Sequence, residues 1–239
     1  PTRSDGRPAV RSGRLSCLKI VFAGVRRVLR PSRLRHGDIP GVIVDRHRVL
    51  PGRERFIERV SHAAGIEQDP LEAKRLFAFV PDNPDTFLRL KGIEYLRFIA
   101  DIYGVDKKDR EERVRDLTRR FGIQDVLNQM IRTYSHGMKQ KLAIISAFIH
   151  DPALIIMDEP FVGLDPVASH SLKQLMREHC NKGGAIFFST HVLEVAEKLC
   201  DKIAIIREGR LVVSGTMDEV RGKESLEDVF LGLEGGGNV

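Results

Sequence analysis

From residue 70 onward, apolar and polar positions fall into two periods that take turns along the chain. "PLEAKRL" predicts a short helix, "FAFV" a buried strand, and "PDNPD" a loop built on two prolines with turn-forming Asp and Asn. "GIEYLRFIADIYG" repeats apolar residues at three and four, and "KKDREERVRDLTRRFG" is a charged helix with a thin apolar stripe closed by Gly122. "MKQKLAIISAFIHD" reads as a mostly buried helix and "ALIIM" as a strand. "VASHSLKQLMREHCNKG" (helix), "AIFFS" (strand), "VLEVAEKLC" (helix), "KIAIIRE" and "RLVVSG" (strands) and "SLEDVFLGL" (helix) complete the series. Alternation of this kind predicts an α/β domain with a largely parallel sheet. The helical patterns between residues 86 and 134, with no strand among them, predict an inserted all-helical lobe.

Residues 1–69 do not follow this pattern. "GVIV" predicts a short strand and "RERFIERVSHAA" a helix, but Arg, Pro and Gly interrupt every longer run. The expectation is an irregular, poorly ordered basic segment at 1–69 ahead of a domain at 70–239. Charge sharpens the division: residues 1–69 hold 14 Arg and one Lys against seven acids, a net +8 of the chain's +6, which leaves −2 for the remainder. Such a block either stays solvated or binds an anionic surface or nucleic acid. The first 37 residues, Arg-rich with one acid, also share the composition of a transit peptide, although Pro8 and Pro31 break any sustained amphipathic helix.

Composition bounds the rest. A chain of 239 residues with 42% apolar content can build a proper core. The longest apolar runs, "CLKIVFAGV" and "LAIISAFI", fall short of the roughly 20 residues that cross a bilayer, so membrane association is expected only through a partner. Cys17, Cys180 and Cys200 are widely spaced and odd in number, which gives neither a disulfide framework nor metal-ligand spacing and favours a reducing, intracellular setting.

Ligands of α/β sheets gather at the carboxyl ends of the strands, and several loops deliver polar groups there. "ALIIM" ends in Asp158 and Glu159, placed for magnesium and for a water in line with a terminal phosphate; two acids in this position also serve as a helix cap. "GLDP" supplies a tight turn at Gly163, a local acceptor at Asp165 and a helix-starting Pro166. His191 follows "AIFFST" just before a helix, where an imidazole donates to a phosphate oxygen or simply finds a partner at the helix terminus. Ser135 and Gly137 in "TYSHGMKQK" stand ahead of a long helix, either as a plain N-cap or as donors to an anion.

Taken together and in order, "YSHGMKQK", "LIIMDEP", "GLDP" and "FFSTH" resemble the signature loop, Walker B strand, D-loop and switch histidine of ATP-binding cassette (ABC) ATPases, over residues 70–239. The resemblance implies ATP and Mg²⁺ as ligands, with Asp158 holding the metal, Glu159 polarising the attacking water and His191 sensing the terminal phosphate. It implies that Ser135 and Gly137 contact ATP held by a second ABC ATPase subunit, in a homo- or heterodimer with Asp165 at the shared interface. The tail "SLEDVFLGL" looks like that of subunits pairing with separate exporter-type integral-membrane subunits, which implies a cytoplasmic, peripheral location on the inner face of the cell membrane. Two positions depart from the family pattern. His136 and Met138 replace Gly and Gln in the signature loop, and Asp82 in "FVPDNP" stands where the Q-loop glutamine belongs, as a candidate ligand contact.

A phosphate-cradling loop, G-x-x-x-x-G-K-[ST], is absent from the sequence. Gly222–Lys223 is the one Gly-Lys pair, and it precedes Glu224 well after the Walker B strand. By resemblance the loop and an adenine-stacking aromatic belong before residue 70, and neither is there. Residues 1–69 fill about the length of the family's first lobe with foreign content, as an out-of-frame translation re-entering near "IEQDPLEAKRL" would produce; a genuine rearrangement is the alternative. The expected function is therefore an energy-coupling, transport-linked ATPase subunit that is weak or inactive by itself. The rival is a regulatory cassette-like module with a basic nucleic-acid-binding arm, which steep weakening of binding by salt would reveal.

Overall fold

A computed structural model describes residues 19–23, 70–207 and 210–235, with Lys19–Ala23 traced as backbone. The elements in chain order are β1 (Lys19–Ala23), α1 (Pro70–Arg75), β2 (Phe77–Val80), α2 (Gly92–Ile102), α3 (Lys107–Arg120), α4 (His136–Ile149), β3 (Leu154–Met157) and α5 (Pro166–Asn181). Then come β4 (Ala185–Thr190), α6 (Leu193–Leu199), β5 (Lys202–Arg207), β6 (Arg210–Thr216), α7 (Met217–Arg221) and α8 (Leu226–Gly235). The six described strands form one sheet in the order β2-β3-β4-β1-β5-β6. Strands β2, β3 and β4 are parallel neighbours, with Val80 beside Met157 and Met157 beside Phe188, so their carboxyl ends share one edge.

Two features qualify the expected parallel sheet. "KIAIIRE" and "RLVVSG" pair as an antiparallel hairpin, β5 with β6. The slot between β4 and β5 is filled by β1, antiparallel to both. That strand lies inside the segment expected to be irregular, and the sequence reading placed no element there; its "KIVFA" is short and apolar enough to pair between two buried strands. The remaining expectations for residues 1–69, including the strand at "GVIV" and the helix at "RERFIERVSHAA", lie outside the described residues.

The inserted lobe is present as expected: α2, α3 and two short 3₁₀ turns at Gln124–Val126 and Ile131–Thr133. Gly122 closes α3 with φ 64°, a left-handed position suited to glycine. The lobe shares the core of the sheet through α4, whose Ile144, Ile145 and Phe148 pack in one cluster with Leu96, Ala100, Val114 and Leu117. Polar fasteners reinforce the join. Arg120 donates from Nη1 to both Glu178 carboxylate oxygens, at 3.0 and 2.8 Å, and the Arg113 guanidinium donates to the Ile149 carbonyl at 2.7 Å. Tyr95 and Ser146 hydroxyls meet at 3.1 Å in the interior.

His179 near the end of α5 makes the fold sensitive to acid. Its ring is buried against the edge of Phe148 and against Gly184, where a Cβ would fall 2.1 Å from Nε2, so only glycine fits beside it. Burial pushes its pKa below the ordinary histidine value, and outweighs the attraction of Asp151, whose carboxylate lies 3.8 Å from Nδ1. A histidine held neutral in the fold gives its stability above the unfolded pKa, near 6.5, and loses it as pH falls further. Urea midpoints are expected to fall between pH 7.5 and pH 5.5, and to fall less in His179→Gln. Equal pH slopes in the two proteins would remove His179 from the account.

Candidate functional site

The shared carboxyl edge of β2, β3 and β4 gathers the acidic residues. Asp158 follows β3 directly and its backbone N–H donates to the Val80 carbonyl at 2.9 Å, which holds the strand end in register with β2. One position on, in the same row of the sheet, stands Ser189 at the end of β4. Its hydroxyl donates to Asp158 Oδ1 at 2.5 Å and accepts the Glu159 backbone N–H at 3.0 Å. Glu159 has φ 46°, a left-handed conformation that costs a non-glycine residue on the order of 1 kcal/mol and that collects at functional sites. The carboxylate of Glu159, only 18% exposed, lies 3.0 Å from His191 Nδ1, whose ring is largely in solvent. Thr190 Oγ1 accepts the Val192 amide at 3.1 Å and shapes the turn that carries His191. Ser189 thus joins Asp158 to Glu159, and Glu159 in turn reaches His191; the sequence reading had not singled out Ser189.

A second group forms at the N-terminus of α4. Ser135 caps the helix, its Oγ accepting the Met138 N–H at 3.2 Å, a bond that does not use the hydroxyl's own hydrogen. Gly137 lies directly on the turn at Gly163: a Cβ on Gly137 would come 2.5 Å from the Gly163 carbonyl oxygen. Gly163, at φ 77°, in turn lies under the imidazole of His136. Asp165 caps α5 by accepting the Ala168 N–H at 2.8 Å and binds Lys141 Nζ at 2.6 Å. That ammonium, and secondarily the Ala168 amide, hold the Asp165 carboxyl below the usual carboxylate range. Signature loop and D-loop are therefore bound to one another within this chain. Lys141 was not anticipated, although it sits in the second turn of the helix that Ser135 caps. Asp82 is exposed, two residues past the end of β2.

Whether this edge suits its implied ligands follows from the donors present. Among the described residues no three His, Cys, Asp or Glu side chains cluster as a metal cage. Magnesium commonly takes one or two carboxylates and completes its shell with waters and phosphate oxygens, which is the donor set Asp158 and its neighbours offer. The phosphate side does not fit. In a phosphate-cradling unit a strand runs with its neighbours, and the glycine-rich loop opens at their carboxyl edge ahead of a helix. Here β1 fills the slot in reverse: Ile20 pairs with Thr190 and Ala23 with Phe187, so the strand reaches the carboxyl edge at its start.

Known proteins resemble this chain in sequence and in fold. A family model described as "AAA domain, putative AbiEii toxin, Type IV TA system" matches residues 47–197, and so reaches ahead of residue 70. The ABC-type transporter ATP-binding protein EcsA of Bacillus subtilis (strain 168) is 36% identical over 164 residues, covering 69% of this chain and 66% of that protein. The ABC transporter ATP-binding protein NatA of the same organism is 31% identical over 163 residues, covering 68% of this chain and 66% of that protein. The match spans just under two thirds of these relatives' length. A solved ATP-binding subunit of an ABC transporter superposes with a TM-score of 0.68 at 37% identity, over 71% of this chain and 72% of that one. CbiO1 from Clostridium perfringens, part of the ABC transporter complex CbiONQ, gives a TM-score of 0.54 at 26% identity, over 69% and 66% of the two chains. The chain carries an AAA-type domain and belongs to the ATP-binding subunits of ABC transporters.

Proposed function

We propose that this chain is an energy-coupling subunit of an exporter-type ABC transporter that works beside an intact ATP-binding subunit and offers its signature face to nucleotide held there. The observation that carries this reading is the reversed strand β1 in the slot where a phosphate loop would begin, in a sequence without G-x-x-x-x-G-K-[ST]. Ser135 and Gly137 are intact by contrast, at the positive end of a 14-residue helix. The Ser135 hydroxyl and the backbone N–H groups behind it donate to the terminal phosphate, and Lys141 and Asp165 keep the two loops at one height as the subunits close. Closure over ATP and reopening after hydrolysis drive the transport cycle. Asp158 is the residue that would hold Mg²⁺ on this chain's own edge, with Glu159 and His191 beside it, and the ion would supply positive charge there. Asp82, exposed two residues past β2, is the candidate substitute for the Q-loop glutamine. Among the described residues no helix is long and apolar enough to cross a membrane, so the reading places the chain on the cytoplasmic face through an integral-membrane partner.

The purified chain is expected to hydrolyse ATP at background rates, because positioning and phosphate-charge stabilisation supply nearly all catalysis in this chemistry and the lysine loop provides much of both. Mixing it with an intact ABC ATP-binding subunit creates activity above that of either alone. Turnover by the purified chain within about tenfold of an ordinary median rate near 10 s⁻¹, abolished by Glu159→Gln, would overturn the reading.

A further inference from the structure

We infer that Ser189 is a positioning residue of the carboxylate edge, one hydroxyl that orients Asp158 and fixes the backbone of Glu159 at once. The directions of its hydrogen bonds are forced. A backbone N–H only donates, so Oγ accepts from Glu159 at 3.0 Å, and its own hydrogen goes to Asp158 Oδ1 at 2.5 Å. The side chain is buried, with Ser189 7% exposed, and cannot trade either bond for water at little cost. The amide it binds belongs to a residue in the left-handed region, at φ 46°, a conformation that persists only where surrounding groups determine it. Ser189 also lies two residues before His191, whose Nδ1 is 3.0 Å from the Glu159 carboxylate, so both ends of the Glu159 residue are held from the end of β4. Groups that orient a metal carboxylate from behind typically change metal affinity by 10- to 100-fold when removed.

The inference rests on the reading of Asp158 as a metal carboxylate, and the test separates the two. The full chain is titrated with Mn²⁺ alone, and paramagnetic broadening of amide signals near Asp158, which registers weak binding, gives the affinity. Hydrogen exchange at the Glu159 amide is followed in parallel. Ser189→Ala is expected to weaken Mn²⁺ binding by about tenfold or more and to speed Glu159 exchange, while Ser189→Thr, which keeps the hydroxyl, stays within about threefold of the parent. Asp158→Asn abolishes the broadening. Unchanged binding and exchange in Ser189→Ala, with Asp158→Asn still abolishing the signal, would overturn the role of Ser189 and leave the metal reading standing. Equal losses in the Ala and Thr variants would assign the effect to packing and overturn it too. Broadening that is absent, or indifferent to Asp158→Asn, would overturn the metal reading and the inference with it.

Discussion

Arginine in place of Ser135 silences the ATPase activity that this chain creates when mixed with an intact ABC ATP-binding subunit, by on the order of 100-fold or more. Two effects add. The hydroxyl donor to the terminal phosphate is lost, and a long cation at the helix N-terminus opposes the positive end of α4 while obstructing closure. Ser135 is exposed, so the fold should tolerate the change within about 0.5 kcal/mol beyond the loss of a cap worth about 1 kcal/mol. A coupled ATPase assay with a urea midpoint on each variant separates the two consequences. Strong inactivation with a midpoint lowered by no more than the loss of one cap is the expected pair of results.

Ile155→Ala is expected to cost 2–5 kcal/mol, roughly 5–15 °C in Tm for a chain of this size. Ile155 is fully buried at the centre of β3, beside Ala78 of β2 and Ile186 of β4, three residues before Asp158. Truncation there leaves a cavity that two hydrogen-bonded neighbours on either side keep from collapsing. Leu211→Ala on the edge strand β6, where the side chain is 62% exposed, is the control and should stay within about 0.5 kcal/mol. Calorimetry on the pair distinguishes a core strand from an edge strand directly.

The elements that the sequence disclosed are those whose burial follows a simple period. "ALIIM", "AIFFS" and the helix from Pro166 were legible because one face, or both, is apolar and the ends carry Asp165, Pro166 or a glycine turn. Lys19–Ala23 was not legible, because four apolar residues amid arginines look the same whether they pair or not, and the strand's antiparallel direction is set by partners remote in sequence. The helix Met217–Arg221 was missed for a related reason: at five residues it has no period, and its one signal is the capping box between Thr216 and Glu219. At the site, Asp158, Glu159 and His191 announced themselves by following apolar strands. Ser189 did not, since a single hydroxyl in a strand matters only through what the neighbouring strand brings to it. Lys141 is hidden likewise: its partner Asp165 is 24 residues away and meets it only after α4 and the D-loop pack together.

The central claim is that this chain acts on nucleotide held by its partner, through Ser135, and not on nucleotide held at its own carboxylates. The measurement that tests it most directly is the ATPase rate of the mixture with Ser135→Arg and Asp158→Ala introduced separately into this chain alone. The account predicts that Ser135→Arg removes the activity gained on mixing and that Asp158→Ala leaves it in place. Activity that survives Ser135→Arg and disappears with Asp158→Ala would put the working site on this chain's own edge and contradict the account.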